Sequence, residues 1–208
     1  MRSRRARPAL APVPIDNFSS VEIRRLKDSS SPSATQFGDR IRRFLFRLRR
    51  NVTVGAGAII KRGVRLNICE TASLSLGEHC VVHEGVRFIL TMPGPKVTIG
   101  KWVHIGFETV IAAKQEISIG DFTMIAPRCY FIDLEHGFGA DQVILNQQSS
   151  FAPIRIGRDC YFGTGAVITK GVTIGDGAMI AANAVVCDDI GPYEIWGGVP
   201  ARFIKKRT

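Results

Sequence analysis

An apolar residue recurs at every sixth position in the second half of the chain, and this period restricts the fold more than any other feature. The unbroken run starts at Ile156 and ends at Val186. Earlier stretches show the same period with breaks between them. A period of six is too long for a helical turn and does not fit a simply alternating strand. It predicts a short strand followed by a turn, repeated. The 18 apolar positions are Val54, Ile60, Leu66, Leu76, Val82, Phe88, Ile99, Ile105, Ile111, Ile119, Ile125, Phe131, Ile156, Phe162, Ile168, Ile174, Ile180 and Val186.

Two further regularities share this period. A small or β-branched residue recurs four positions after the apolar one, as at Ala58, Cys80 and Val103. A glycine follows the first apolar residue of each three-hexad unit, where the chain must bend. We therefore expect three strand-and-turn sides to close one coil of a triangular prism, with the apolar and small residues inside. About six coils, paired through parallel ladders at about 4.8 Å, would give a prism roughly 30 Å long. These glycines are Gly55, Gly77, Gly100, Gly120, Gly157 and Gly175.

The stretch IGRDCY-FGTGAV-ITKGVT-IGDGAM-IAANAV, which starts at Ile156, resembles the hexapeptide-repeat family. The resemblance extends over residues 52–205 and implies a left-handed parallel β-helix. The predicted fold class is therefore all-β, with about six coils. We assign residues 51–190 to the β-helix, 133–153 to a loop that projects from it, and 191–208 to a short C-terminal extension.

The predicted loop carries His136, the residue best suited to proton transfer. The longest interruption of the six-residue period lies here, and long loops on rigid scaffolds are often functional. From the residues alone, His136 is either a solvated loop histidine or a proton-transfer group. The motif Asp133-Leu134-Glu135-His136 resembles the D-x-x-H signature of hexapeptide-repeat acetyltransferases of the maltose, galactoside, xenobiotic and capsule-sugar type. The resemblance implies that His136 is the general base. Asp133 either orients its ring, holds the acceptor, or only forms a turn.

The same resemblance implies acetyl-CoA as co-substrate, bound in a groove between subunits of a homotrimer, and no metal. Its donor-binding positions correspond here to Tyr161, Gly163, Thr164 and Ala182. The ending Gly197-Gly198-Val199-Pro200-Ala201-Arg202 is also similar to the family's. It implies that Arg202 and Lys205 lie near the nucleotide phosphates, although a solubilising tail is the alternative. Cys187 and Asp188 depart from the Thr-Lys pair that the family often has there.

These motifs predict an acetyl-CoA-dependent O-acetyltransferase that acts on a sugar hydroxyl, in polysaccharide or glycolipid biosynthesis. Three alternatives stay open on the same fold: an N-acetyltransferase acting on a nucleotide amino sugar, a serine acetyltransferase, and a non-catalytic scaffold. A metal enzyme of the γ-carbonic-anhydrase kind needs three converging histidines. The histidines at 79, 83, 104 and 136 do not have that family's spacing.

The net charge of +10 is concentrated at one end of the chain. Residues 1–50 hold 13 Lys/Arg and 4 Asp/Glu, whereas residues 51–208 hold 15 and 14. A nucleic-acid-binding domain would spread basic charge over its folded surface, so we expect no nucleic-acid partner.

Residues 1–38 are predicted to be flexible. Residues 39–50 are predicted to form an amphipathic basic helix with Asp39 as N-cap. This helix either plugs the open end of the prism or lies on an anionic membrane.

The five cysteines include no C-x-x-C pair, which favours a reducing compartment over a disulfide framework or a zinc site. Cys80, Cys129 and Cys160 fall at inward positions and are predicted to fill the core. The sequence shows no secretory signal and no apolar run of membrane-spanning length. We therefore predict a cytoplasmic protein, with a peripheral position on the inner membrane face if residues 39–50 bind lipid.

Overall fold

The structure, a computed structural model, describes residues 34–91 and 94–208, with side chains from residue 38 onward. The predicted flexible segment 1–38 therefore lies almost wholly outside the described residues. Short parallel strands wind into the three faces of a prism. The predicted all-β fold, a left-handed parallel β-helix of about six coils, is confirmed.

Each face collects one strand from every coil, and the three faces follow one another along the chain. The first face consists of β1 (Val52–Val54), β4 (Ser73–Leu76), β7 (Lys96–Ile99), β10 (Glu116–Ile119), β15 (Ile154–Ile156) and β18 (Thr173–Ile174). The second consists of β2 (Ile59–Ile60), β5 (Val81–Val82), β8 (His104–Ile105), β11 (Met124–Ile125), β16 (Tyr161–Phe162), β19 (Met179–Ile180), β21 (Glu194–Gly198) and β22 (Ala201–Lys206). The third consists of β3 (Arg65–Ile68), β6 (Arg87–Leu90), β9 (Val110–Ala112), β12 (Tyr130–Ile132), β17 (Val167–Ile168) and β20 (Val185–Val186).

The core follows the six-residue period. Of the 18 apolar positions, 17 are buried, and Leu66 in the first coil is half-buried. Cys80, Cys129 and Cys160 are buried among them as predicted, and burial raises the pKa of each thiol to about 11. A thiol with so high a pKa carries little thiolate at neutral pH, so these three cysteines are core residues rather than nucleophiles.

Glycine at the corner between the first and second faces allows the coils to stack. The Gly120 amide donates to the Ile156 carbonyl at 2.9 Å. A Cβ at Gly120 would lie 2.5 Å from the Gly157 carbonyl carbon, closer than any packed side chain allows. The glycine is therefore required by the distance between neighbouring coils rather than by an unusual backbone angle.

The ends of the prism differ from the predicted boundaries. The helix α1 runs over Ala34–Arg47 rather than 39–50, so the prediction that Asp39 caps its N-terminus is wrong. Asp39 lies inside the helix, buried, in ion pairs with Arg42 and Lys61. At the other end, β21 continues the parallel ladder of the second face, and β22 folds back antiparallel on it. The predicted extension 191–208 is therefore partly a further coil.

The steric role of Gly120 can be tested by Gly120→Ala. The added Cβ must separate two coils, so we expect the free energy of unfolding to fall by about 1–3 kcal/mol. Ser118→Ala on the same strand is the control and should stay within about 0.5 kcal/mol of the wild type. Urea unfolding followed by circular dichroism measures both. Equal stabilities for the two variants would contradict the packing argument.

Candidate active site

The predicted loop leaves the prism where the third face turns into the first. A short antiparallel ladder forms its stem, between β13 (Leu134–Glu135) and β14 (Ser150–Phe151). A 3-10 turn, Ile144–Asn146, lies in its outer part. The loop is thus an ordered hairpin that rises from one corner of the prism, and His136 directly follows its first strand.

His136 is exposed, and one side of its ring is held in place. Its Nδ1 lies 3.1 Å from the Ser149 hydroxyl, across the stem. Within the described residues, Nε2 has no hydrogen-bond partner. If Nδ1 carries the proton and donates it to the Ser149 oxygen, Nε2 is an unprotonated acceptor on an exposed ring. An imidazole in that tautomer can accept a proton from an incoming hydroxyl. Sequence reasoning missed Ser149 because 13 residues and the whole loop separate it from His136.

Asp133 does not pair with the His136 ring. The Asp133 side chain is fully buried at the base of the loop, where its carboxylate accepts three backbone N–H groups, from Lys114 at 2.6 Å and from Gln115 and Glu116 at 2.8 Å each. Burial raises the pKa of this carboxyl, and the amide donors act in the opposite direction. The expectation that Asp133 orients the ring or holds the acceptor is therefore corrected. It fastens the start of the loop to the coil below.

Further contacts keep the loop in one shape. The Gln147 side chain accepts the Gly139 amide at 2.7 Å and donates to the Gly139 and Gln142 carbonyls at 2.8 Å each. An ion pair at 3.0 Å joins Glu135 to Lys170 on the next coil. The segment around His136 is therefore tied both to itself and to the prism.

The predicted donor-binding residues lie on another part of the prism. Tyr161 is exposed on the second face between Met124 and Met179. Thr164 and Ala182 are exposed at the corner between the second and third faces. Gly163 is buried beneath them, and a Cβ there would lie 2.4 Å from the Ala182 nitrogen, so this glycine sets the spacing of the coils.

A single chain does not bring the two halves of the predicted site together. His136 rises from the corner between the third and first faces, whereas Thr164 and Ala182 lie at the corner between the second and third. The whole third face separates them. If these residues share a site, a second copy of the chain has to supply one half.

The basic residues of the C-terminal hairpin are exposed. Arg202 donates from Nη1 to the Asp188 carboxylate at 2.8 Å, and Lys205 lies in register with Ile195. Asp188 therefore offsets part of the positive charge of Arg202, the residue predicted to contact a phosphate. Because this ion pair is exposed, it is weak enough to exchange for a phosphate.

The other three histidines pack against neighbouring rings or are partly buried. His79 stacks on Trp102 with ring centroids 4.1 Å apart, and His83 meets the edge of Phe107. Burial, with a smaller effect of neighbouring His83, lowers the pKa of His104. Within residues 34–91 and 94–208, no group of three His, Cys, Asp or Glu side chains is arranged to hold a metal ion.

Comparison with known proteins agrees with this architecture. The family model described as the hexapeptide repeat of succinyl-transferase matches residues 153–187, from one residue before β15 to one residue after β20. This part of the chain therefore carries the hexapeptide repeat. Its resemblance to the hexapeptide-repeat acyltransferases, predicted from the motifs, is confirmed.

Two curated relatives and one solved structure illustrate the resemblance. The chain is 33% identical to galactoside O-acetyltransferase of Escherichia coli (strain K12), over 64% of this chain and 63% of that protein. It is 54% identical to a probable macrolide acetyltransferase of Lysinibacillus sphaericus, over 64% of this chain and 60% of that protein. A hexapeptide-repeat acetyltransferase of Vibrio cholerae O1 biovar eltor, complexed with acetyl coenzyme A, is 25% identical with a TM-score of 0.55, over 91% of each chain. The chain thus spans less than two thirds of the length of the two curated relatives.

The fastening role of Asp133 predicts the effect of Asp133→Asn. The amide keeps one acceptor oxygen but turns an NH2 group towards backbone N–H donors. We expect the free energy of unfolding to fall by about 1–3 kcal/mol. Asp176→Asn is the matched control, since exposed Asp176 accepts a single backbone amide at 2.9 Å, and its effect should be smaller. Differential scanning calorimetry compares the two, and an unchanged Asp133→Asn protein would contradict this role.

Proposed function

We propose that the protein is an acetyl-CoA-dependent O-acetyltransferase that transfers an acetyl group to a sugar hydroxyl, with His136 as general base. The observation that carries the proposal is the exposed His136 ring on an ordered loop, held at Nδ1 by Ser149, with no hydrogen-bond partner for Nε2 among the described residues. A single proton-accepting group of this kind is what acyl transfer from a thioester to an alcohol requires. The V. cholerae structure, with its bound acetyl coenzyme A, supports the choice of donor.

The proposed reaction has one balanced sequence of proton transfers. The acceptor hydroxyl attacks the thioester carbonyl carbon while Nε2 of His136 takes the hydroxyl proton. The C–S bond then breaks, and the imidazolium returns the proton to the departing thiolate. The Ser149 hydroxyl keeps its hydrogen bond with Nδ1 throughout and so fixes the orientation of the ring. General-base assistance of this kind contributes about 10²–10⁴-fold to the rate, and positioning supplies much of the rest.

The separation of the two half-sites supports a homotrimer whose grooves hold the donor. In this arrangement the loop of one copy would meet the Thr164–Ala182 corner of the next. Apolar side chains on both surfaces favour such a contact. Phe138 and Leu145 are 75% and 90% exposed on the loop, and Phe107 and Met124 are exposed on or beside the second face. Large exposed apolar side chains gathered on two surfaces are typical of an interface.

The acceptor is proposed to be a sugar in a polysaccharide or glycolipid unit, in line with the galactoside O-acetyltransferase relative. A second candidate is a hydroxyl of a macrolide, which the 54% identity to a probable macrolide acetyltransferase favours. Both acceptors are alcohols and use the same base. An amino sugar and serine are the other acceptors to compare. The lack of a C-x-x-C pair in the sequence and the burial of Cys80, Cys129 and Cys160 in the core support a reducing cytoplasm as the place of the reaction.

The assignment of the base is tested with His136→Ala in a thiol-release assay with acetyl-CoA. The acceptor panel comprises galactosides, oligosaccharides, a macrolide, an amino sugar and serine. We expect kcat with the preferred acceptor to fall by at least about 100-fold. His79→Asn is the control, since it removes a histidine on another corner and suits the left-handed backbone at that position. Near-normal turnover by His136→Ala would contradict the proposal, and no thiol release with any acceptor would favour a scaffold.

Ser149 is proposed as the positioning residue for this base. Its hydroxyl lies 3.1 Å from Nδ1 and fixes the orientation of the ring, so that Nε2 stays available to accept the proton. We expect Ser149→Ala to lower kcat by about tenfold and to leave the KM for the acceptor nearly unchanged. Ser150→Ala is the matched control because its hydroxyl lies beside the Glu135 carbonyl, away from the ring. A kcat for Ser149→Ala equal to that of the wild type would contradict this role.

The donor half-site is tested separately with Arg202→Gln. If Arg202 exchanges its Asp188 partner for a nucleotide phosphate, the KM for acetyl-CoA should rise about tenfold while kcat changes little. Lys205→Gln should have a smaller effect of the same kind. Arg155→Gln on the first face is the control and should leave this KM unchanged. Equal KM values for Arg202→Gln and Arg155→Gln would contradict the proposed contact between Arg202 and a nucleotide phosphate.

A further inference from the structure

The helix α1 lies across the open N-terminal end of the prism with its polar side inward. Arg42 donates to the Ile60 carbonyl at 2.9 Å, and Arg47 donates twice to the Val54 carbonyl at 3.0 and 2.8 Å. Arg43 reaches the Ala58 carbonyl at 3.4 Å. These carbonyls belong to the first coil, and no coil within the described residues precedes it to pair with them. The guanidinium groups therefore satisfy the free edge of the β-helix.

The apolar side of the same helix points away from the prism. Ile41, Phe44, Leu45 and Leu48 are 45%, 61%, 53% and 63% exposed. Their spacing of i, i+3, i+4 and i+7 places them in one stripe along the helix. Phe46, on the opposite side, packs against the core. The stripe is thus an apolar face presented outward on a helix that is already anchored through its other side.

Basic charge surrounds this stripe. Residues 38–66 hold nine Lys/Arg and one Asp, whereas residues 67–208 hold 12 Lys/Arg and 14 Asp/Glu. Arg40 and Arg49 are exposed and are the chain neighbours of Ile41 and Leu48 in the stripe. Arg62 and Arg65 are exposed on the first coil. We call the surface formed by α1 and the first coil the basic pole.

We propose that the basic pole docks the protein on an anionic lipid bilayer, with the stripe inserted at the headgroup level and the flanking arginines contacting anionic headgroups. Apolar and cationic groups on one helix surface are the combination that binds such an interface. A second copy of the same pole would meet it with like charge, which opposes self-association through the stripe. A nucleic acid would have no use for four exposed apolar side chains at the centre. The proposal is independent of acyl transfer.

Flotation of the full-length protein with lipid vesicles tests the proposal. One vesicle type contains phosphatidylcholine alone, and the other contains phosphatidylcholine with about 30% phosphatidylglycerol, enough to give the strongly negative surface potential that attracts basic segments. We expect binding to the anionic vesicles to exceed binding to the neutral ones by at least about tenfold and to weaken as salt rises, because salt screens the charge attraction. Equal recovery with both vesicle types, or no recovery with either, would overturn the proposal.

Two variants separate the apolar and the charged contributions. Phe44→Gln/Leu48→Gln removes half of the stripe without changing charge, and Arg40→Gln/Arg49→Gln/Arg50→Gln removes flanking charge that does not contact the prism. Each should weaken binding to anionic vesicles by at least about tenfold. The matched controls are Phe203→Gln/Ile204→Gln, which removes similarly exposed apolar residues on the C-terminal hairpin, and Lys96→Gln/Arg155→Gln/Lys206→Gln, which removes three charges elsewhere. Both controls should bind as the wild type does.

Circular dichroism and thermal unfolding establish that each variant is folded. The apolar variant also distinguishes the other partners. If it lowers the oligomeric state in light scattering without vesicles, the stripe is a protein interface and the proposal fails. If the wild type binds duplex DNA but no vesicles, and the apolar variant binds DNA equally well, the pole is a nucleic-acid surface and the proposal fails. Wild-type vesicle affinity in the apolar variant would overturn it as well.

Discussion

The stacking of one coil on the next is the constraint on which the rest of this structure depends. Neighbouring coils pair through their backbones, and the distance between them leaves no room for a side chain at corners such as Gly120 and Gly163. The apolar residues fill the space inside, but the backbone ladder sets the repeat. Because the scaffold is so regular, any departure from the period has to leave through a corner. The His136 loop is such a departure, and the helix α1 covers the end at which the described part of the ladder has no further partner.

The period made the fold readable from the sequence. An apolar residue every six positions identifies inward residues such as Phe131 and Phe162, and both are fully buried. The break after Phe131 gives the position of the loop for the same reason. Motifs inside the repeat are equally informative, because a rigid scaffold fixes where each position of a hexad points.

Outside the repeat, sequence spacing did not reveal side-chain partners. The D-x-x-H spacing suggested that Asp133 and His136 act together. The partners of Asp133 are instead backbone amides on the coil below, among them that of Gln115, 18 residues earlier in the chain. Ser149, which does contact His136, lies on the far side of the stem. The pattern of α1 identified an apolar face but not its direction. That direction depends on the free carbonyls of the first coil, which attract arginine rather than leucine.

Because His136 and the Thr164–Ala182 corner lie far apart on one chain, the proposed activity would depend on assembly. Each proposed site takes its base from one copy and its donor surface from another, so an isolated chain would hold two incomplete halves. Dilution alone would then silence the protein without unfolding it. Mixing two inactive mutants, one defective in each half, would regenerate some intact sites, as in complementation between defective alleles of one gene.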